Sequence, residues 1–178
     1  MVIQILNTVL GNLSPIFGLL DKVEKNYCVI KKPEECDRTQ PIIIPGNANA
    51  RFQYLKMLEA GFDKNFFLAQ QATVIGICSG GQLLLDETEE GGRCLGIISG
   101  YSVAMPKLRI GWFGFNERDY YFVHRYKMIS EYAYSDNNSE ITSLVKYKNF
   151  VGVQFHPEKS GPNGVSFMKE VLSDAQNR

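Results

Sequence analysis

Two short segments carry residues able to do covalent chemistry. The first is Val74-Ile75-Gly76-Ile77-Cys78-Ser79-Gly80-Gly81-Gln82. It reads as an apolar strand entering a sharp turn with a cysteine at its apex and a helix behind it. G-x-C-x-G is the cysteine form of the nucleophile elbow. A turn that tight brings backbone against the nucleophile, so only glycine fits two positions before and two after it. The start of the following helix offers backbone N–H groups, which favour a thiolate and an oxyanion. A free cysteine is commonly an inert core residue. Gly76 and Gly80, with the strand-to-helix placement, set Cys78 apart from Cys28, Cys36 and Cys94, none of which has such a setting.

A thiol needs a base. Gly152-Val153-Gln154-Phe155-His156-Pro157-Glu158-Lys159-Ser160 supplies one. The apolar run 150–155 reads as a strand, His156 ends it, and Pro157 stops it. Glu158 can turn back to the imidazole, fix its tautomer and stabilise its charged form. The chain has only two histidines. His124 also ends a strand, Tyr121-Phe122-Val123-His124, but its nearest downstream acid is Glu131, so it ranks second as a base and first as a substrate-side residue.

These segments need a scaffold. Apolar runs at 2–6, 27–30, 41–46 and 73–78 predict buried strands. Leu13, Ile16, Phe17, Leu20 and Val23 recur at helical spacing, with Ser14 as cap and Pro15 in the first turn. Phe52, Leu55, Met57 and Leu58 mark a second helix ended by Gly61, and GGQLLLDE a third. Alternating strands and helices indicate a parallel sheet covered on both faces. The second half is rich in β-branched and aromatic runs with short turns (CLGII, KLRIGWFGF, DYYFVH, KMISEYAY, SLVKY, FVGVQF) and predicts an antiparallel extension of that sheet. A last helix is expected over 165–175. The fold class is therefore α/β, with a mostly parallel central sheet flanked by helices and an antiparallel C-terminal extension. One domain spanning 1–178 is expected at this length.

Lys plus Arg and Asp plus Glu number 19 each, a formal net charge of zero. That argues against a general nucleic-acid or anionic-membrane binder. No apolar run approaches a membrane span, the N-terminal stretch lacks the basic leader of a signal peptide, and no CxxC pair is present. Together these predict a reduced, cytoplasmic protein with no metal site.

The two catalytic segments resemble those of the class I, or triad, glutamine amidotransferases, most nearly the glutaminase subunits of imidazole glycerol phosphate synthases. Gly11-Asn12-Leu13, Pro45-Gly46, Gly111-Trp112 and Tyr121-Phe122-Val123-His124 fall in the family's order, so the resemblance spans nearly the whole chain. It implies a flavodoxin-like fold, with Cys78 as nucleophile, His156 as acid and base, Glu158 as orienter, and no cofactor. L-Glutamine would acylate Cys78, release ammonia, and leave a thioester to be hydrolysed to glutamate. Gln82 and Glu90 match positions that hold the substrate; by composition alone, Glu90 would belong to a solvated acidic face. The backbone of His124, Arg125 and Tyr126 matches a segment that grips the α-carboxylate. The oxyanion would lie between the Ser79 turn and the loop carrying Gly46 and Asn47. The partner implied is a separate (β/α)8 synthase that takes the ammonia and contacts the region of Trp112. This chain is too short to hold a barrel of about 250 residues as well.

Several positions depart from the family. Pro45-Gly46-Asn47-Ala48 replaces Pro-Gly-Val-Gly, Arg125 follows His124, Leu108-Arg109-Ile110 replaces Pro-His-Met, and Phe113 replaces Asn. The changes around Trp112 suggest a partner other than the histidine-pathway synthase, such as that of a relative that amidates nucleotide sugars or surface polysaccharides; both the histidine precursor and a sugar stay open as acceptors. Two other readings compete. One is a stand-alone cysteine hydrolase, such as a γ-glutamyl hydrolase or peptidase relative. The other is a degenerate regulatory subunit, favoured only by Asn47-Ala48.

Overall fold

A computed structural model describes residues 1–8, 12–46, 49–135 and 141–174. Its main sheet has seven strands in the order β2-β1-β3-β4-β11-β10-β9. These are β1 (Val2–Leu6), β2 (Asn26–Ile30), β3 (Ile42–Ile44), β4 (Val74–Ile77), β9 (Ala133–Ser135), β10 (Thr142–Tyr147) and β11 (Phe150–Val153). The first five in spatial order run parallel, and β10 and β9 are antiparallel additions. Successive side chains of a strand point to opposite faces. Ile42, Ile44, Val74, Val145 and Phe150 enter one buried cluster. Ile43, Ile75, Ile77, Leu144, Val151 and Val153 enter the other. Both faces are covered, which is why these strands are continuously apolar rather than alternating.

Helices α1 (Ser14–Val23) and α5 (Gly161–Asp174) cover one face, burying Ile16, Leu19, Leu20, Phe167, Met168 and Leu172. α2 (Ala50–Glu59) and α3 (Lys64–Leu68) cover the other through Met57, Phe66 and Phe67. Between β4 and the C-terminal strands lie the one-turn helix α4 (Ser79–Gln82) and a second sheet. That sheet contains β5 (Glu87–Thr88), β6 (Gly92–Arg93), β7 (Tyr101–Phe115) and β8 (Arg118–Ile129), in the order β6-β5-β7-β8.

Some local expectations are corrected. The aromatic runs of 101–129 form a hairpin in the second sheet rather than an extension of the first, and FVGV lies parallel to β4. GGQLLLDE is helical only to Gln82, and Cys94–Ile98 is no strand. The two failures have one cause: N–H groups of Leu95, Gly96 and Ile97 bond to carbonyls of Leu83, Leu85 and Leu84, satisfying this backbone without helix or ladder. Ser14 is the first residue of α1, not its cap; its N–H is taken by Asn12 Oδ1 at 3.0 Å. α5 begins at Gly161, four residues before the apolar spacing starts. Finally, α2 turns Ala50, Gln53 and Met57 inward and leaves Phe52, Leu55 and Leu58 exposed.

Candidate active site

Cys78 leaves the end of β4 with φ 52° and ψ −111°, a left-handed conformation unusual for a residue with a side chain. Its N–H donates to Val153 O at 2.7 Å, which pins the turn to β11. A Cβ at Gly76 would collide with the Gly80 backbone, and one at Gly80 with the Ile44 carbonyl. The elbow therefore closes only with glycine on both sides of the cysteine. α4 is a single turn, so it offers the sulfur local N–H groups rather than an extended dipole.

β11 runs beside β4 with Val153 opposite Ile77, so the residues just beyond each strand meet at one sheet edge. His156 arrives there with its N–H bonded to Tyr121 O at 2.8 Å and its carbonyl accepting from Ser160 Oγ at 2.6 Å. Pro157–Lys159 makes a 3-10 turn that carries Glu158 back, and Glu158 Oε1 lies 2.6 Å from His156 Nδ1. Burial alone would lower the basicity of His156. Hydrogen bonds and charge from Cys78 and Glu158 outweigh it and hold the pKa up at about 9. Cysteine, histidine and glutamate thus form one buried line, with the imidazole between sulfur and carboxylate. Such a line can deprotonate a thiol and later return the proton to a leaving amine.

Gly46 closes the other side. A Cβ there would come 3.2 Å from Cys78 Cβ and 3.4 Å from His156 Cε1. Asn47 and Ala48, with Gly11, lie outside the described residues. Gln53 ties this loop to the elbow, accepting from Ser79 Oγ at 3.0 Å and donating to Pro45 O at 2.7 Å. This explains the rotation of α2: a polar tether holds the inward position that apolar spacing assigned to Phe52 and Leu55. Sequence spacing gave no signal for Gln53 beyond its nearness to the loop.

Several of the expected substrate-side residues lie close to the elbow, and others do not. Gln82 is buried and donates to Tyr126 O at 3.3 Å. Glu90 accepts from Ala50 N at 2.6 Å and Asn49 Nδ2 at 3.4 Å, so it sits at the start of α2 rather than on a free acidic face. β8 passes over the elbow, with Val123 O 3.8 Å from Cys78 Sγ. Arg125 is exposed. His124 is buried; its Nδ1–H donates to Tyr126 O at 2.7 Å, leaving Nε2 as an acceptor with no partner among the described residues. Burial first, then the charges of Arg109 and His156, lower its pKa to about 4. Arg109 lies across the hairpin from His124, its guanidinium 3.7 Å from the Phe113 ring centroid. Behind His156 and Glu158 opens a cavity of about 260 Å³ whose lining includes Asn7, Asn12, Pro45 and Lys159.

On the opposite face of β7, Leu108, Ile110 and Trp112 are each more than half exposed, with Trp112 edge-on to Tyr121 at 5.8 Å. Among the described residues no group of three or more His, Cys, Asp or Glu could hold a metal ion, and no helix is long and apolar enough to cross a membrane.

Comparison with known proteins gives this geometry a context. The chain is 29% identical over 177 residues to imidazole glycerol phosphate synthase subunit HisH of Staphylococcus aureus, covering 92% of each chain. It is 29% identical over 184 residues to the same subunit of Staphylococcus epidermidis, covering 96% of each. A crystal structure of a glutamine amidotransferase superposes with a TM-score of 0.78 at 14% identity, covering 96% of this chain and 98% of the other. The model of the glutamine amidotransferase class-I family matches residues 21–175, the stretch that contains the elbow, the His-Pro-Glu turn and the hairpin between them. The chain belongs to the class-I glutamine amidotransferases, a family of glutamine-hydrolysing enzymes.

Proposed function

We propose that this chain is the glutaminase subunit of a two-component amidotransferase, and that Cys78, His156 and Glu158 are its catalytic triad. The observation that carries the reading is the meeting of Cys78 and His156 beside Gly46 at the elbow, with Glu158 Oε1 2.6 Å from His156 Nδ1. His156 takes the Cys78 proton, and sulfur attacks the side-chain amide carbon of L-glutamine. The oxyanion forms between the Ser79 turn and Gly46. Collapse breaks the C–N bond, and His156 gives its proton to the departing ammonia. Water, deprotonated by His156, then cleaves the thioester to glutamate and returns Cys78. Gln82, Glu90 and the 124–126 backbone hold the substrate's α-groups; for Glu90 this means exchanging or sharing its bond to Ala50 N.

The cavity behind His156 and Glu158 is the exit we assign to ammonia. The relatives are named as subunits of a synthase, and the exposed apolar row Leu108, Ile110 and Trp112 is the surface we assign to a (β/α)8 partner. Leu108-Arg109-Ile110 and Phe113 depart from the family pattern on this hairpin, which supports a synthase with a sugar acceptor over the histidine-pathway one. The test is ammonia and glutamate release from glutamine by the parent chain and by Cys78→Ala, with each class of synthase added. Loss of turnover in Cys78→Ala, with a glutamine-analogue electrophile labelling Cys78 alone, is the expected result. Labelling spread over the four cysteines, or turnover that survives Cys78→Ala, would overturn the triad. Stimulation by the histidine-pathway synthase alone would overturn the sugar assignment.

A further inference from the structure

Val153 and Phe155 both pack into the cluster on the α1–α5 side of the sheet. The intervening Gln154 is therefore turned to the other side, and it is fully buried there. A buried primary amide must place both of its ends. Its backbone N–H is held by Ser143 O at 2.9 Å. Its Oε1 accepts from Gln82 Nε2 at 3.4 Å, and its Nε2 faces Cys78 Sγ at 3.9 Å. Gln82 Nε2 also donates to Tyr126 O at 3.3 Å. A carbonyl can only accept, so the end of Gln82 at Tyr126 is the amide nitrogen. That nitrogen in turn requires the oxygen of Gln154, and the Gln154 N–H is left pointing at the sulfur.

The groups around the sulfur divide into two kinds. The Val123 carbonyl can bond only to a thiol, and its negative end opposes a thiolate. His156, backed by Glu158, and the Gln154 N–H favour the thiolate, since a hydrogen bond to the charged form stabilises it. His124, next to Val123 on β8, is held neutral and adds no compensating charge. We propose that Gln154 is a positioning residue that holds the Cys78 sulfur in its reactive, negatively charged form, with Gln82 fixing the orientation of its amide. The inference rests on Cys78 being the nucleophile. It also links a residue expected to touch glutamine to the nucleophile through one side chain.

The test follows alkylation of the Cys78 peptide by iodoacetamide across pH, read by mass spectrometry so that exposed Cys28 does not interfere, in parent and Gln154→Met chains. Methionine keeps the length and removes the N–H. The expected result is alkylation about fivefold slower at neutral pH, the size of one modest hydrogen bond, with the rise of rate displaced to higher pH. A folded Gln154→Met chain whose profile superimposes on the parent overturns the proposal. Should Gln154→Met fail to fold, Gln154→Leu is the second neutral variant without the N–H. Slower alkylation there supports the proposal and an unchanged profile overturns it. This readout needs no glutamine, so it fails separately from the glutaminase reading, which is decided by turnover and by labelling with the glutamine analogue.

Discussion

Two histidines lie at one sheet edge, and their surroundings drive them in opposite directions. His156 has a carboxylate at 2.6 Å and the cysteine on its other side, so its charged form persists to about 9. His124 is buried, and that burial with the charges of Arg109 and His156 outweighs the bond its Nδ1–H makes to the Tyr126 carbonyl, so it stays neutral down to about 4. Only the first can hold a proton at neutral pH and deliver it to a leaving amine. His156→Ala should therefore lose at least ~10³-fold in turnover, and Cys78→Ala/His156→Ala should be little worse, because triad members act as a unit. Steady-state glutamate release measures both. If His124→Ala were the crippling change and His156→Ala mild, the roles would be reversed. His124 also leaves a mark on stability. Its folded pKa is depressed from 6.5 to about 4, so within that window the unfolded chain binds the extra proton. Its contribution is thus present above pH 6.5 and lost as pH falls toward 4. His124→Phe should show a shallower loss of stability over that window in chemical denaturation; parallel curves would contradict it.

At the scale of elements, what could be read from sequence depended on whether the signal was local. The elbow and the His-Pro-Glu turn are contiguous, and each needs particular residue types at fixed offsets, so both were legible. The parallel strands were legible because burial on two faces leaves runs such as Ile42-Ile43-Ile44. The second sheet was not, because nothing in KLRIGWFGF or DYYFVH says which sheet a hairpin joins. α2 misled for a related reason: Phe52, Leu55 and Leu58 form an apolar row, but Gln53 claims the inner face through Ser79 and Pro45. Gln154 sat inside a legible motif without a legible role, since its partner Gln82 is far away in the chain. The same packing gives an element-level expectation. Gly46 stands where a Cβ would press on Ile77 O at 3.0 Å and Cys78 Cβ at 3.2 Å. Gly46→Ala should push the oxyanion-side loop off the elbow and cost about 10²-fold in kcat, the loss of one oxyanion donor, with KM for glutamine moving less. A large KM change with kcat intact would place Gly46 in substrate binding instead.

For the whole molecule, the two sheets divide the work. The parallel sheet brings Cys78 and His156 to one edge; the hairpin of the second sheet covers that edge with β8 and turns Leu108, Ile110 and Trp112 outward. A row of large apolar side chains, each more than half exposed on one strand, is costly to leave in water and is the kind of patch a partner covers. Because β7 carries that row and β8 carries the carbonyls at Cys78 and Gln82, a partner docked on β7 is one strand away from the reacting sulfur. Docking can therefore alter the hairpin at the proposed substrate site, without touching the proposed triad. The expected outcome is a low glutaminase rate for the isolated chain that rises about 10²–10³-fold with the cognate synthase and its acceptor, the range spanned by completing one oxyanion contact. Trp112→Ala should keep the isolated rate and the melting temperature, because Trp112 is more than half exposed and meets Tyr121 edge-on. It should also require more synthase to reach half-maximal stimulation. Ammonia release titrated with synthase measures both quantities. Full turnover by the isolated chain, unchanged by the synthase, would remove the subunit reading and leave a stand-alone hydrolase built on the same triad.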